Sequence, residues 1–187
     1  TIANELVKLG FRRFAFADPF KIIAAEMVNT ALRHIAPTYR VNRNGERVEQ
    51  IDLAYLERYK SDFRLLLQWL GSEFGRGHLA DNLIWTDMLI DAMDQVPPTE
   101  PIVVDDCRLQ HEARALRTEG FQLVRITRAG TESTDTHESE TELASIPCRL
   151  TIDNDGTPEE VAHRLITTIR WSSTISLDGI EVLTVWP

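Results

Sequence analysis

The stretch from Ile102 to Val104 is a short apolar run, and two aspartates follow it directly. An uninterrupted run of this kind is typical of a strand buried on both faces, as in a parallel sheet. Further strand-like segments lie at residues 12–17, 122–127 and 150–153, with helical spacing of apolar residues around them. This alternation predicts an α/β fold, with a doubly wound, mostly parallel sheet and helices on both faces.

Capping signals mark where several helices begin and end. A helix over residues 2–9 meets Gly10, and Asp18-Pro19 supplies an N-cap and a first-turn proline for a helix that runs to about Ile35. The run Thr157-Pro158-Glu159-Glu160 has the form of a capping box and predicts a further helix after it. The helical segments are therefore delimited by local chemistry as well as by periodicity.

Composition limits the class of protein. The chain has 187 residues, 43% of them hydrophobic, which is enough to bury a core without disulfide bonds or structural metal. Membrane-spanning and signal-peptide patterns are missing, so we expect a soluble, cytoplasmic protein that does not bind a membrane. The net charge of −9 argues against binding a nucleic acid polymer, although a local basic pocket is compatible with a phosphorylated metabolite. Cys107 and Cys148 are expected to be reduced thiols.

Two segments depart from the strand and helix alternation. Residues 37–59 form an insertion, in which Asn44-Gly45 predicts a hairpin over about residues 39–49. Two helices are expected after it, from Asp62 to Gly75 and over about residues 81–93. A second hairpin is predicted over residues 175–182. The apolar tail around it, with Trp171, Val185 and Trp186, suggests a contact in a homodimer.

The first helix raises a question of topology. In a parallel α/β sheet such a helix follows a central strand, and none precedes Thr1. We expect that the first strand and its loop are missing from the sequence given. The alternative is that only an initiator methionine was removed.

Polar residues cluster directly after the predicted strands, where ligands bind in sheets of this class. The clusters are residues 17–21, residues 105–108, and Arg128 with residues 137–140. Carboxylates at a strand end can hold Mg²⁺, and arginines bind phosphate oxygens in a bidentate manner. Together these residue types indicate a phosphoryl-transfer site.

Each residue also has a purely structural explanation. Asp18 and Asp106 are suitable helix caps, and Lys21 one turn later would then be a solvated charge. Arg108 and Glu112 would form a surface ion pair that contributes a few tenths of a kcal/mol. Asp105, at the tip of an apolar run, is harder to explain without a ligand.

For Trp85, the spacing with Met88 and Leu89 favours packing in a core. The solvated alternative applies to isolated arginines such as Arg128. His137 has no metal-binding partner at a recognised spacing, and no HExxH, CxxC or Gly-x-Ser-x-Gly motif occurs. The sequence therefore does not predict a metallohydrolase or a serine hydrolase.

An ordered set of motifs connects these clusters to a known family. The stretches are FAFADPFK at residues 14–21, LLQWLG at 66–71 with Gly75-Arg76, VVDDCR at 103–108 continuing to Glu112, and HESE at 137–140. In this order they resemble the phage-type deoxynucleoside monophosphate kinases. The resemblance implies a P-loop fold and transfer of the γ-phosphoryl group of ATP to a deoxynucleoside monophosphate, with Mg²⁺.

The resemblance also implies roles for individual residues. Thr1 would follow the Gly-x-x-x-x-Gly-Lys loop, and with Asp105 it would help to hold Mg²⁺ and the phosphates. Arg128 and Asp105 would be the catalytic residues. The acceptor monophosphate would be bound by Lys21, Arg76, Trp85, Asp106, Arg108 and Glu112. A lid over about residues 128–142 would include His137, Ser139 and Glu140.

On this basis we expect a P-loop kinase-like domain over residues 1–170, in which about residues 37–95 form the insertion and a helical monophosphate-binding region. Residues 171–187 would be a hairpin or tail. The expected partners are ATP and a deoxynucleoside monophosphate, in the host cytoplasm if the gene belongs to a phage. Two alternatives are a kinase resembling dephospho-coenzyme A kinase and a nucleotide-binding domain without catalysis.

Overall fold

The fold is taken from a computed structural model that describes residues 1–34, 50–78, 83–128, 142, 145–172 and 182–185. It divides into two compact units. The first contains Thr1–Phe16 and Leu89–Pro187, and the second contains Ala17–Met88. The second unit is therefore an insertion in the sequence of the first.

A five-stranded sheet forms the centre of the first unit, counted over the described residues. Its order is β1-β2-β5-β3-β4, and every neighbouring pair is parallel. The strands are β1 Arg12–Phe14, β2 Ile102–Val104, β3 Gln122–Thr127, β4 Leu150–Asp153 and β5 Val182–Val185. The predicted parallel α/β fold is confirmed at this level, and β3 and β4 have the predicted bounds.

Helices lie before β1 and between most of the successive strands, and β3 and β4 are the exception among the described residues. The helices are α1 Ile2–Lys8, α2 Asp18–His34, α3 Leu53–Arg58, α4 Lys60–Gln68, a π-helix Trp69–His78, α5 Ile84–Met93, α6 Gln110–Thr118 and α7 Pro158–Ser172. The boundary between the two units falls within α5. No helix of the described part of the chain is both long and apolar enough to cross a membrane.

The predicted capping box at the start of α7 is confirmed. Glu160 accepts a hydrogen bond from the backbone N–H of Thr157 at 2.7 Å, and the Thr157 hydroxyl accepts one from the backbone N–H of Glu160 at 3.3 Å. The bond from Thr157 lowers the pKa of the Glu160 carboxyl. Two backbone donors at the helix start are thereby satisfied.

The core of the first unit joins the sheet to the helices beside it. Val103 and Val104 of β2 are fully buried, together with Leu6 of α1, Leu116 of α6 and Leu165 of α7. Burial of β2 on both faces explains why its three residues are all apolar. The core therefore fixes the strand whose end carries Asp105.

A strand late in the sequence occupies the middle of the sheet. β5 lies between β2 and β3, where Val182 aligns with Ile102 and Val185 aligns with Val124. β5 is thus the middle strand of the five that the structure describes, and the expected strand before Thr1 stays a prediction. The predicted hairpin over residues 175–182 lies outside the described residues except for Val182, and so does the predicted hairpin over residues 39–49.

In the second unit, α2, α3, α4 and the π-helix surround a separate core. Its members include Ala24, Leu56, Leu67 and Leu70. The sequence analysis missed α3 within the insertion. Its signal was present, because the Asp52 carboxylate caps the helix by accepting a hydrogen bond from the backbone N–H of Tyr55 at 2.8 Å.

One buried amide connects Ile51, within the insertion, to α2. The Asn29 side chain donates to the carbonyl of Ile51 and accepts from its N–H, both at 2.8 Å. Both residues are 5% exposed. Asn29 therefore pairs two buried backbone groups that have no partner in a helix or strand.

Replacing Asn29 by alanine should lower the free energy of unfolding by about 2 kcal/mol, because the N–H and C=O of Ile51 would stay buried without partners. Urea denaturation measures this loss. The control is Thr30→Ala, at an exposed neighbouring position, which should change stability by less than about 0.5 kcal/mol. Equal losses in the two variants would contradict the assigned role of Asn29.

Candidate active site

Two adjacent aspartates mark the carboxyl end of β2, and residues of the β1 segment contact both of them. The Nε of Arg13 donates to Oδ2 of Asp105 at 2.7 Å, and the backbone N–H of Phe16 donates to Oδ1 of Asp106 at 2.6 Å. Asp106 thus accepts a backbone hydrogen bond. This end of the sheet is the position at which parallel α/β folds bind ligands.

The two oxygens of Asp105 differ in their surroundings. Oδ2 is paired with Arg13, whereas Oδ1 is buried and has no hydrogen-bond partner among the described residues. A buried carboxylate oxygen without a partner is unfavourable unless a ligand, water or cation completes it. The donor chemistry therefore fits Mg²⁺, which one or two carboxylates commonly bind together with phosphate oxygens. The described residues contain no cluster of three or more metal-binding side chains.

Glu112 contacts the backbone at the start of α6. Its carboxylate accepts hydrogen bonds from the N–H groups of Arg108 at 2.8 Å and Leu109 at 3.0 Å, and the residue is 5% exposed. The predicted proximity of Glu112 to Arg108 is therefore found, with the backbone of Arg108 as the donor. This arrangement satisfies two backbone N–H groups just before the helix. Arg108 itself is exposed to solvent.

Cys107 lies between these residues and is fully buried. Burial is the main cause that raises the pKa of its thiol, and the nearby carboxylates of Glu112 and Asp106 act in the same direction. The thiol therefore stays protonated and unreactive at neutral pH. Cys148 is only half-buried.

A second polar region of the first unit lies at the carboxyl ends of β3 and β4. It is a cavity of about 640 Å³ lined by Thr127, Arg128, Asp153, Asn154, Asp155 and Gly156. The Thr127 hydroxyl donates to Asp153 at 2.5 Å, and the backbone N–H of Asn154 donates to the carbonyl of Thr127 at 2.6 Å. These bonds hold the two strand ends together. Arg128 is exposed at this cavity.

The second unit contains a pocket with an apolar wall and basic residues. Its volume is about 580 Å³. Phe20, Leu67 and Gly71 supply apolar surface, and the cationic residues that line it are Lys21, Lys60 and Arg64. A pocket of this composition suits a ligand with one flat apolar part and one anionic part.

Lys21 is the buried cation of this pocket, only 6% exposed. Its ammonium group contacts Glu57 at hydrogen-bond range and lies 3.7 Å from Asp18. Buried charges are paired in this way in folded proteins. Lys21 is therefore not the solvated charge that the structural alternative predicted.

Trp85 packs in the interior of the second unit. It is 4% exposed, its indole N–H donates to the carbonyl of Gly71 at 3.2 Å, and its ring meets Phe20 edge to face at 5.6 Å. A Cβ at Gly75 would lie 2.3 Å from the indole nitrogen, so only glycine fits there. This placement favours the core-packing explanation of Trp85. The ring supports Phe20 and Gly71, which line the pocket.

Thr1 is exposed at the start of α1 and caps that helix, since its hydroxyl accepts from the backbone N–H of Asn4 at 3.3 Å. The backbone of Arg76 belongs to the π-helix, whereas its side chain is not among the described parts of the structure. The predicted lid residues His137, Ser139 and Glu140 also lie outside the described residues.

The sequence analysis missed three cationic residues that the structure places at these sites. Arg13 pairs with Asp105, and Lys60 and Arg64 line the pocket of the second unit. A signal existed for the latter two, because a spacing of four residues puts them on one face of α4. For Arg13 no local signal existed, since its partner is 92 residues away in sequence.

Comparisons with known proteins agree on one family. The sequence profile described as "Deoxynucleotide monophosphate kinase" matches residues 22–165. A protein of Acanthamoeba polyphaga mimivirus, provisionally named as such a kinase, is 28% identical over 186 residues, which cover 90% of this chain and 89% of the viral protein.

Two phage enzymes named deoxynucleotide monophosphate kinase are also similar. The enzyme of Escherichia phage RB69 is 33% identical over 109 residues, and that of Enterobacteria phage T4 is 31% identical over 112 residues. Each match covers 57% of this chain. It spans 44% of the RB69 enzyme and 45% of the T4 enzyme, so the similarity reaches less than half of either phage protein.

The contrast between the two cysteines is testable by alkylation. In the folded protein, iodoacetamide should modify Cys148 at least about 10-fold faster than Cys107, because the Cys107 thiol is buried and its pKa is raised. Raising the pH through the ordinary thiol value of 9.0 should not accelerate the reaction at Cys107 as it does for a free thiol. Peptide mass spectrometry measures both rates. In denaturant the two rates should converge, and a fast reaction of native Cys107 would contradict the burial.

Proposed function

Because this chain belongs to the deoxynucleotide monophosphate kinase family, we propose that it transfers the γ-phosphoryl group of ATP to a deoxynucleoside monophosphate, giving ADP and the diphosphate. The family match carries this proposal, since it covers residues 22–165 and includes residues of both units. Membership of the family makes the chain a phosphotransferase by class. The P-loop kinase-like form of the fold is part of the proposal.

The acceptor nucleotide is assigned to the pocket of the second unit. Phe20 and Leu67 offer apolar surface to a nucleobase, and Arg64 offers positive charge to its monophosphate. Lys21 is proposed to contact that monophosphate by exchanging its contact with Glu57 for a phosphate oxygen. Trp85 acts here by supporting Phe20 and Gly71. The lining of this pocket is both apolar and cationic, which favours a nucleotide as the ligand over an uncharged metabolite.

Roles toward the acceptor are also proposed, from the family resemblance alone, for Arg76 and for the segment from Asp106 to Glu112. Arg108 is exposed at the start of α6 and is suited to bind a phosphate oxygen. Asp106 accepts a hydrogen bond from the backbone N–H of Phe16, and Glu112 accepts from the N–H groups of Arg108 and Leu109, so both hold the backbone around Arg108. Their proposed contribution is to fix the segment that presents the Arg108 side chain.

Asp105 and Thr1 are the proposed ligands on the metal side. The buried Oδ1 of Asp105 supports this role, and the hydroxyl of Thr1 at a helix N-terminus is of the type that helps to hold a metal. Mg²⁺, when bound, would neutralise charge on the transferring phosphoryl group. Arg128, exposed beside the cavity at the ends of β3 and β4, would stabilise the negative charge that spreads over that group.

The remaining parts of the proposal rest on the family. Residues 128–142, with His137, Ser139 and Glu140, would close over the phosphates as a lid. The enzyme would act in the cytoplasm of the infected host, as suggested by the phage relatives. A homodimer through residues 171–187 stays a proposal of the sequence alone.

A substrate panel tests the activity. With ATP and Mg²⁺, the protein should phosphorylate at least one deoxynucleoside monophosphate, and Lys21→Gln or Arg64→Gln should raise the KM for it by at least about 10-fold, through loss of a charge-assisted hydrogen bond. The KM for ATP should change less than twofold. Lys8→Gln is the control, since Lys8 is an exposed lysine of α1. Phosphorylation of dephospho-coenzyme A alone would reject the proposal.

Arg108→Ala should reduce kcat/KM for the monophosphate by at least about 10-fold while ATP binding stays within twofold, because the guanidinium is assigned to the acceptor phosphate. Steady-state kinetics with each substrate varied in turn measures the effect. Arg114→Ala, at an exposed position of α6, is the matched control. Equal losses for both nucleotides would contradict the role of Arg108.

A further inference from the structure

Arg13 is an arginine in a short strand, and its contact reaches the end of the neighbouring strand. In the register of the sheet Arg13 aligns with Val103, two residues before Asp105. Its Nε lies 2.7 Å from Oδ2 of Asp105, a strong charge-assisted geometry. The Asp105 side chain is 16% exposed. The pair therefore lies at the edge of the core, at the end of the sheet where ligands bind.

This contact determines which carboxylate oxygen of Asp105 remains without a hydrogen bond to the described residues. Since Arg13 occupies Oδ2, the carboxylate cannot rotate freely, and Oδ1 is held in a buried position without a partner among the described residues. Arginine stays protonated at all physiological pH values, so its contact with Oδ2 persists throughout that range. This contact prepares Oδ1 to accept a bond from a cation or from a water molecule bound to one.

We propose that Arg13 is a positioning residue, which orients the Asp105 carboxylate so that its second oxygen is presented to the Mg²⁺ ion of the bound nucleotide or to that ion's water shell. The inference rests on the proposed kinase function and adds to it a residue that acts through Asp105. Groups that orient a metal ligand in this way tune the affinity for the metal.

A neighbouring ion pair of the same strand, between Arg12 and Glu100, provides a comparison. Arg12 lies 3.5 Å from Glu100, and their side chains are 49% and 35% exposed. Such an exposed pair contributes about 0–1 kcal/mol to stability. The pair of Arg13 and Asp105 is shorter, is less exposed and leaves a buried oxygen unsatisfied. A pair that served stability alone would gain nothing from that oxygen.

The experiment compares Arg13→Gln, Arg13→Lys and Asp105→Asn with the control Arg12→Gln in the full-length protein. Three quantities are measured for each: the affinity for Mn²⁺ in the presence of ADP by electron paramagnetic resonance, the Mg²⁺ dependence of kcat at saturating nucleotides, and the melting temperature. The control removes an arginine from the same strand and the same type of ion pair.

We expect Arg13→Gln to weaken Mn²⁺ binding and to raise the Mg²⁺ concentration for half-maximal kcat by about 10-fold. The KM for the monophosphate should stay within twofold. Arg13→Lys should restore most of the affinity, because the ammonium group can still pair with Oδ2. Arg12→Gln should leave both metal readouts unchanged. The double variant Arg13→Gln with Asp105→Asn should bind metal no more weakly than Asp105→Asn alone.

The inference is overturned if Arg13→Gln lowers the melting temperature while both metal readouts stay at the wild-type value, or if Arg12→Gln has the same effect on them. Its failure is distinguishable from failure of the proposed function. A protein that binds Mn²⁺ with ADP in an Arg13-dependent way but phosphorylates no deoxynucleoside monophosphate would reject the function alone. An active enzyme with unchanged metal dependence in Arg13→Gln would reject the role of Arg13 alone.

Discussion

The parallel pairing of β1 with β2 determines where the acidic residues of the candidate site lie. β2 has only three residues, all buried, so Asp105 and Asp106 are the first residues after the strand at which the chain can carry charge. Each is held by a group of the β1 segment, Asp105 by the Arg13 side chain and Asp106 by the Phe16 backbone. The site of the first unit is thus a direct product of the strand register.

Local charge matters more for this protein than net charge. The chain carries a formal charge of −9, yet its second unit collects Lys21, Lys60 and Arg64 around one pocket. A small anionic ligand responds to the groups within a few ångströms, because solvent and salt screen the more distant acids. An acidic protein can therefore bind nucleotides through a few placed cations, while its overall charge still disfavours long polyanions.

Features that depend on local sequence were predicted well. The bounds of β3 and β4, the capping box of α7 and the acidic pair after β2 follow from periodicity, caps and strand ends. Features that depend on distant partners were not. In the sequence, Asn29 looks like an ordinary polar residue of α2, and Arg13 looks like a surface charge. Their roles follow only from their distant partners, Ile51 and Asp105.

Trp85 shows a different limit of sequence reasoning. Both the helical spacing and the family resemblance single it out, but they imply different roles, one in a core and one against a ligand. The contacts of the ring favour the first role, since its N–H donates to the carbonyl of Gly71 and its indole nitrogen lies close to Gly75. Such a residue contacts the residues that line a pocket without lining the pocket itself.

The place of β5 in the sheet has a consequence for biosynthesis. Because β5 joins β2 to β3, the pairs β1–β2 and β3–β4 each keep an open inner edge until residues 182–185 are present. A nascent chain still held by the ribosome at that point has two separate sheet fragments, with exposed backbone groups that favour association with other chains. Completion of the described sheet therefore waits for residues that follow all of its other strands in the sequence, and assistance by chaperones before that point would limit such association.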